Sequence, residues 1–249
     1  MSSNRSIIPI CAGLALLIGW AVAPLDQSIA ERLGQNSEVE TLRNLDSQFG
    51  QGLSVAILGG YRSVAANLVW LSMNQNWEQR DLAGTLGKLV FVTSIDPRPE
   101  LFWLNGSRII ANDMPTWVIG IDNTDLHIES AEVWAISSQY ANRALGFLEG
   151  SRVYHEQNPL IYIEEAMILW RKANDLEGAV GRFEQAIRAE SPPFYAYRMY
   201  GELLVKLDRK EKALKLLETH YETLPEESIE AMKPVVADRI RNLRRELGH

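Results

Sequence analysis

Apolar residues along this chain recur three and four positions apart almost everywhere after residue 53. That is the interval at which side chains share one face of a helix. Only residues 117–121 alternate in the manner of a strand. One spacing occurs twice, 34 residues apart: Ala179-x3-Phe183-x2-Ala186 returns as Ala213-x3-Leu217-x2-His220. Upstream, Ala166, Met167 and Trp170 return as Tyr200, Gly201 and Leu204, and Ser191 returns as Pro225. A fixed period of this length marks a repeated helical hairpin, a unit that cannot bury its apolar face alone and stacks on copies of itself.

The period assigns helices to 160–173 and 176–189, joined by the Asn174-Asp175 turn, and to 194–206 and 210–222, joined by 207–209. Ala166, Ala179, Ala186, Gly201 and Ala213 are small where paired helices must cross closely, and Phe183 and Leu217 fill the space toward the next pair. Pro192-Pro193 and Pro225 end the second helices. Two earlier hairpins are less regular. Ala144-x3-Leu148-x2-Ser151 echoes the second-helix spacing. Its first helix is placed at 100–111, with Trp103 and Gly106, and an insertion at 112–128 separates the two. The earliest hairpin takes 61–79 and 82–94, closed by Asp96-Pro97. A last helix over 228–247 carries Ile229, Met232, Val235, Val236, Ile240, Leu243 and Leu247 toward the stack. Arg239, Arg241, Arg244 and Arg245 lie on its wet side, so it caps the last hairpin.

The N-terminus follows another pattern. Residues 7–23 contain no charge. As a helix they span about 26 Å, and continuing to Leu25 brings them near the ~30 Å of a hydrocarbon core. Arg5 precedes the run and Asp26 and Glu31 follow it, which puts the N-terminus in the cytoplasm and the rest of the chain outside. Residues 1–25 are therefore read as an uncleaved anchor. A cleaved signal peptide is the rival: Ala21-Val22-Ala23 has the right form, but Pro24 would follow the cut. Cys11 follows Ile10 and comes too early for a lipoprotein signal. Residues 26–52 form a polar connecting segment with Ile29, Leu33, Val39, Leu42, Leu45 and Phe49 at helical spacing, and the helical body occupies 53–249.

Residues 160–225 resemble tetratricopeptide (TPR) repeats. Tyr197, Gly201, Leu204, Ala213, Leu217 and Pro225 stand where that family places its signature apolar and small residues. Ile163, Met167, Trp170, Ala179, Phe183 and Ala186 do so in the preceding unit. His220 departs where a small residue is usual, and Ser191 where proline is. Residues 59–71 and 96–106 also resemble membrane-anchored bacterial repeat proteins. The resemblance implies an all-α, right-handed TPR-like solenoid of about four hairpins plus a capping helix, behind one N-terminal transmembrane helix. It implies a concave face, lined by first helices, that takes a protein or peptide. Transferred by position, that face holds Ile161, Glu164, Arg171 and Lys172, then Tyr195, Arg198, Glu202 and Lys206. The set lacks the Lys/Asn/Arg arrangement by which chaperone-binding relatives clamp a terminal carboxylate. Trp117, in the insertion, joins the list on its own account as an aromatic expected to be exposed.

Composition changes this picture little. The 249 residues are 46 % hydrophobic, enough for a sizeable core, and the net charge of −7 argues against a nucleic-acid surface. A single cysteine, Cys11, permits no internal disulfide and no cysteine zinc site. The polar cluster Asp113, Asp122, Asp125, His127 and Glu129 is the place to look for a metal, but its order fits no calcium loop. It reads as a polar loop in which Thr124 or Asp125 caps a following helix. Glu164 and Glu165 point about 100° apart on a helix and cannot act as a pair. His155, His220 and His249 read as surface or helix-end residues, and the tryptophans other than Trp117 as packing. No catalytic, cofactor or metal residue is assigned. The expected function is a non-catalytic scaffold or adaptor in a bacterial cell envelope, membrane-bound through residues 7–25 with its body on the non-cytoplasmic side. The alternatives are a structural subunit of a larger membrane complex, or a metal-dependent enzyme or accessory subunit using residues 112–129.

Overall fold

The computed structural model describes residues 60–120 and 130–248. The N-terminal anchor, the connecting segment and residues 121–129 lie outside the described residues. No helix among the described residues is long and apolar enough to cross a membrane. Contacts divide the chain into two compact units, Met1–Ala65 and Ala66–His249. The described part of the first is Gly60, in the left-handed region at φ 85°, and the opening turn of a helix, where Ala65 donates to the Tyr61 carbonyl. The rest concerns the second unit.

The described residues form helices and turns, with no strand among them. Helix α1 (Arg62–Glu78) and α2 (Leu82–Ile95) come first. Then α3 (Glu100–Arg108) runs through a π-turn (Ile109–Asp113) into α4 (Met114–Ile119), and α5 (Ser130–Glu149) follows. A short turn of helix, α6 (Arg152–His155), leads to α7 (Pro159–Ile168), which ends in a second π-turn (Leu169–Ala173). The chain closes with α8 (Leu176–Arg188), α9 (Phe194–Lys206), α10 (Lys210–Tyr221) and α11 (Lys233–Leu247). From α7 onward each helix packs on the next: α7 on α8, α8 on α9, α9 on α10 and α10 on α11.

The hairpin turns share one device. Arg80, Asn174 and Asp208 each take positive φ, 56°, 54° and 58°, where the chain reverses. The last two stand one period apart. Asn and Asp bear the left-handed conformation at lower cost than most residues because their short side chains hydrogen-bond locally. The next residues cap: Asp81 and Asp175 accept the Gly84 and Gly178 N–H groups at 3.0 and 2.8 Å, satisfying donors at the start of α2 and α8.

Three assignments change. The first helix of the second hairpin does not stop at residue 111; it continues through the π-turn to Ile119 and ends at Gly120, in the left-handed region at φ 67°. Pro115 stands in the first turn of α4, where a missing N–H is tolerated after the wider turn. Residues 112–119 are thus helical, and the strand candidate at 117–121 is helical as far as Ile119. The last helix begins at Lys233, not 228, because Pro234 fits only a first turn. Ile229, Met232 and Val235 are exposed as a result, while Val236, Ile240 and Leu243 are buried. Trp77 and Trp134 are also exposed rather than packed, and His220 is 4 % exposed rather than on the surface.

Two apolar cores meet at α7. Ile161 and Ile168 join Met73, Leu89, Ile110, Met114 and Leu148. Ile163 and Ala166, between them in sequence, join Ala179, Phe183, Tyr200, Leu204 and Leu217. Phe183 stacks on Tyr200 (6.1 Å, 15°) and takes the edge of Trp170 (6.5 Å, 77°). Glycines set the closest approaches: a Cβ at Gly201 would lie 3.2 Å from Leu217, and at Gly106 2.8 Å from the Phe147 ring.

Burying α7 on both sides draws in two carboxylates. Glu165 is 1 % exposed and is held between Arg152 (2.8 Å) and Arg182 (3.0 Å). Removing the carboxylate leaves two half-buried guanidinium groups without their counter-ion, an error that costs about 3–5 kcal/mol in buried pairs. Glu165→Ala is expected to destabilise the fold by that order in urea melts, and Arg182→Ala by less, since Arg152 still faces the carboxylate.

His220 stacks on Tyr197 at 3.8 Å and 7°, with Phe194 beyond it. Its Nε2 is buried with no partner at hydrogen-bonding geometry. Burial holds the imidazole below its ordinary value, the Phe194 backbone opposes the shift in part, and the Arg198 charge adds to it. The unfolded chain therefore takes up the proton first as pH falls, and stability declines below about pH 6.5. Melting temperature is expected to drop between pH 7 and 5, and His220→Phe, which keeps a ring on Tyr197, is expected to flatten that slope.

Candidate interaction surface

The first helices carry the residues singled out from sequence, and the structure divides them. On α9, Tyr195, Arg198, Glu202 and Lys206 follow at three- and four-residue steps and share one side. On α7 the equivalent positions differ in fate. Ile161 is 1 % exposed and belongs to the core, so it is not a surface contact. Trp117 is half-buried and packs against the same core, as part of α4.

Three residues from successive hairpins influence one another electrostatically. Glu164 Oε2 accepts from Arg108 Nε at 2.8 Å, with Nη2 2.7 Å from the same oxygen, which ties α7 to α3. This hydrogen bond raises the Arg108 guanidinium above its ordinary value. Tyr195, from α9, feels both charges: burial raises its phenol, Arg108 lowers it and Glu164 raises it again. Its ring remains 38 % exposed. Farther along, Arg198 Nη1 donates to the Ala231 carbonyl at 3.3 Å, and burial lowers its guanidinium. Glu202 accepts from Arg239 Nη2 of α11 at 2.8 Å, with Nε 2.7 Å from its other oxygen. These residues lock one hairpin to the next as well as facing outward.

Arg171, Lys172 and Lys206 behave differently. Arg171 and Lys206 are exposed, and each places its cationic head about 6 Å from the centre of the half-buried Trp170 ring, at 5.9 and 6.0 Å. Lys172 lies in the same π-turn as Arg171. Helical spacing assigns Trp170 to packing; it does not show the exposed side of the ring or the convergence of two cations from different hairpins. The one signal available in the sequence is that Lys172 and Lys206 stand a full period apart at first-helix ends.

Of the candidate metal residues, Asp113 lies on the π-turn, where its Oδ2 accepts from Trp77 Nε1 at 2.7 Å. Asp122, Asp125, His127 and Glu129 lie outside the described residues. Among the described residues no group of three or more His, Cys, Asp or Glu side chains is placed to hold a metal ion. A hollow of about 400 Å³ opens between α8, α9 and α10, walled by the Tyr197–His220 stack, Lys212, Lys215 and Thr223. The Thr223 hydroxyl donates to the His220 carbonyl at 2.7 Å and stands 3.5 Å from its Nδ1, so it is not poised on the imidazole as a nucleophile.

No family model matches the chain, and no curated protein matches it. Several solved structures share similarity with it, among them the three that follow. TTC0263, a thermophilic TPR protein of Thermus thermophilus, is 13 % identical over 83 % of this chain and 98 % of its own, with a TM-score of 0.45. YrrB, described as a TPR protein with an unusual peptide-binding site, is 16 % identical over 75 % of this chain and 97 % of its own, with a TM-score of 0.34. Acl4, an assembly chaperone of RpL4, is 13 % identical over 99 % of this chain and 100 % of its own, with a TM-score of 0.30. At these scores the architecture rests on the chain's own packing.

The Arg108–Glu164 junction makes a measurable claim. In a double-mutant cycle with Arg108→Ala and Glu164→Ala, the coupling is expected to be about 0.5–1.5 kcal/mol. A coupling near zero in urea melts would show that the exposed guanidinium contributes nothing to joining α3 and α7.

Proposed function

We propose that this chain is a non-catalytic, TPR-type scaffold or adaptor that holds a protein partner on the side of its first helices. The observation that carries the reading is the series Tyr195, Arg198, Glu202 and Lys206 along α9. Arg198 and Glu202 are fixed from α11 and its approach, Tyr195 faces the Arg108–Glu164 pair from α7 and α3, and the outer side still offers an aromatic and charges of both signs. Side chains immobilised before binding lose little freedom when a partner arrives. In this reading residues 7–25 anchor the chain in a bacterial membrane, uncleaved, and the hairpins lie on the non-cytoplasmic side.

A second reading, a structural subunit permanently packed in a larger complex, is favoured by Ile229, Met232 and Val235. These are 93, 43 and 48 % exposed beside the capping helix. Apolar side chains left bare next to a cap suit a standing neighbour.

Affinity purification of the full chain in mild non-ionic detergent tests both. A protein that co-purifies, and is lost on Glu202→Arg with the melting temperature held, supports the scaffold. A stoichiometric partner retained by Glu202→Arg but released by Ile229→Asp with Val235→Asp supports the subunit. A monomer that binds nothing, or a stoichiometric metal with hydrolytic activity, overturns both. For the anchor, the chain is expected to stay in membranes washed with alkaline carbonate, with an intact N-terminus by mass spectrometry. A reporter that is active only outside the cytoplasm is expected to work when fused after residue 249.

A further inference from the structure

The cations of this chain fall into two groups. Across the last hairpins many are matched by a carboxylate from a neighbouring element: Arg182 with Glu165, Arg209 with Glu177, Lys212 with Glu184, Arg239 with Glu202 and Arg244 with Glu218. Arg171 and Lys206 are not. Among the described residues neither makes an ion pair; both stand over the one Trp170 ring. The chain's net charge is −7, and the nearby carboxylate on the same side of α9, Glu202, is held by Arg239, so the two exposed cations at Trp170 are left without an ion-pair partner among the described residues.

The backbone contributes to the convergence. Trp170 and Arg171 lie in the π-turn that ends the first helix of their hairpin, and π-turns recur where a helix presents side chains for use. The other π-turn, Ile109–Asp113, ends α3 and spends its acidic side chain internally, on Trp77. Among the described residues the Trp170 turn shows no such carboxylate–indole bond, and Arg171 there makes no ion pair. Trp170 meanwhile packs in an edge-to-face pair with the buried Phe183, and the residue as a whole is half-buried.

We propose that Trp170, Arg171 and Lys206 form a docking site for an acidic segment of a partner protein, one in which carboxylates alternate with apolar side chains. The carboxylates pair with the two cations, and an apolar side chain lies on the open part of the indole. This rests on the protein-binding reading above and names the chemistry of the partner. Cations at helix C-termini also serve the helix dipole, a role that would show as stability rather than binding.

The test uses the full chain in mild non-ionic detergent and two fluorescein-labelled hexapeptides, Glu-Leu-Glu-Asp-Leu-Glu and Lys-Leu-Lys-Lys-Leu-Lys, followed by anisotropy. The acidic peptide is expected to bind at least tenfold tighter than the basic one, and to weaken at least tenfold between 50 and 500 mM salt. Arg171→Glu and Lys206→Glu are each expected to weaken it at least tenfold, and Trp170→Leu severalfold, with melting temperatures near the parent's. The neutral pair Arg171→Gln with Lys206→Gln covers the case in which a reversed charge unsettles the helix end. Equal binding of both peptides, or acidic binding unchanged in all variants, overturns the site. So does binding of phosphatidylglycerol vesicles that the same variants abolish while the peptide does not bind, because it assigns the cations to a lipid surface. A native partner that co-purifies equally with parent and variants refutes this site alone; a chain that captures no protein refutes the scaffold reading with it.

Discussion

The structure depends on α7 being buried on two opposite sides. Most helices in a stack need one apolar stripe, but α7 lies between two cores, with Ile161 and Ile168 toward one and Ile163 and Ala166 toward the other. Between those stripes little of its surface remains for water. Glu164 and Glu165 therefore cannot be ordinary surface acids, and each must bring a guanidinium with it. Arg108, Arg152 and Arg182 are supplied by α3, α6 and α8, so burial on one helix fixes the positions of three others. The cost of desolvating the charges is set against specificity: the arginines meet their carboxylates in one register of the hairpins.

Much of this is legible in the sequence where it is local. The 34-residue period locates α8, α9 and α10, and the Asn174 and Asp208 turns fall where it requires, because turn chemistry and close helix crossing both act on neighbouring residues. The early hairpins are harder. The first helix of the second hairpin reads as ending at residue 111, since Asn112, Asp113 and Pro115 are poor helix interior residues. The π-turn resolves the conflict by widening the backbone, with Met114 and Ile119 buried beyond it. Tertiary burial outweighs local propensity there, and no window of sequence displays it. Pro234 is the opposite case: apolar spacing extends the last helix back to 228, but a proline that fits only a first turn sets the true start.

The candidate surface is less legible than the fold for a related reason. Position in a repeat says which way a residue faces on average, not what else arrives there. Glu164 and Ile161 sit three apart on the same helix, yet one is spent on Arg108, 56 residues away, and the other on the core. Trp170 does pack, edge-on against Phe183, and that contact leaves part of its ring available.

The division between matched and unmatched cations follows from the same geometry. Charges near hairpin junctions find opposite partners because two helices approach there, and such pairs are worth little unless held in place by the helices behind them. The ends of the first helices are different: each reverses into a turn, where Asp175 caps the next helix and Asp208 takes a left-handed backbone position. Asp175 spends its carboxylate on the Gly178 N–H at the start of the second helix, while Asp208 takes the left-handed backbone position one period after Asn174. Arg171 and Lys206, at those helix ends, stay exposed and without an ion pair among the described residues even though the chain as a whole is acidic.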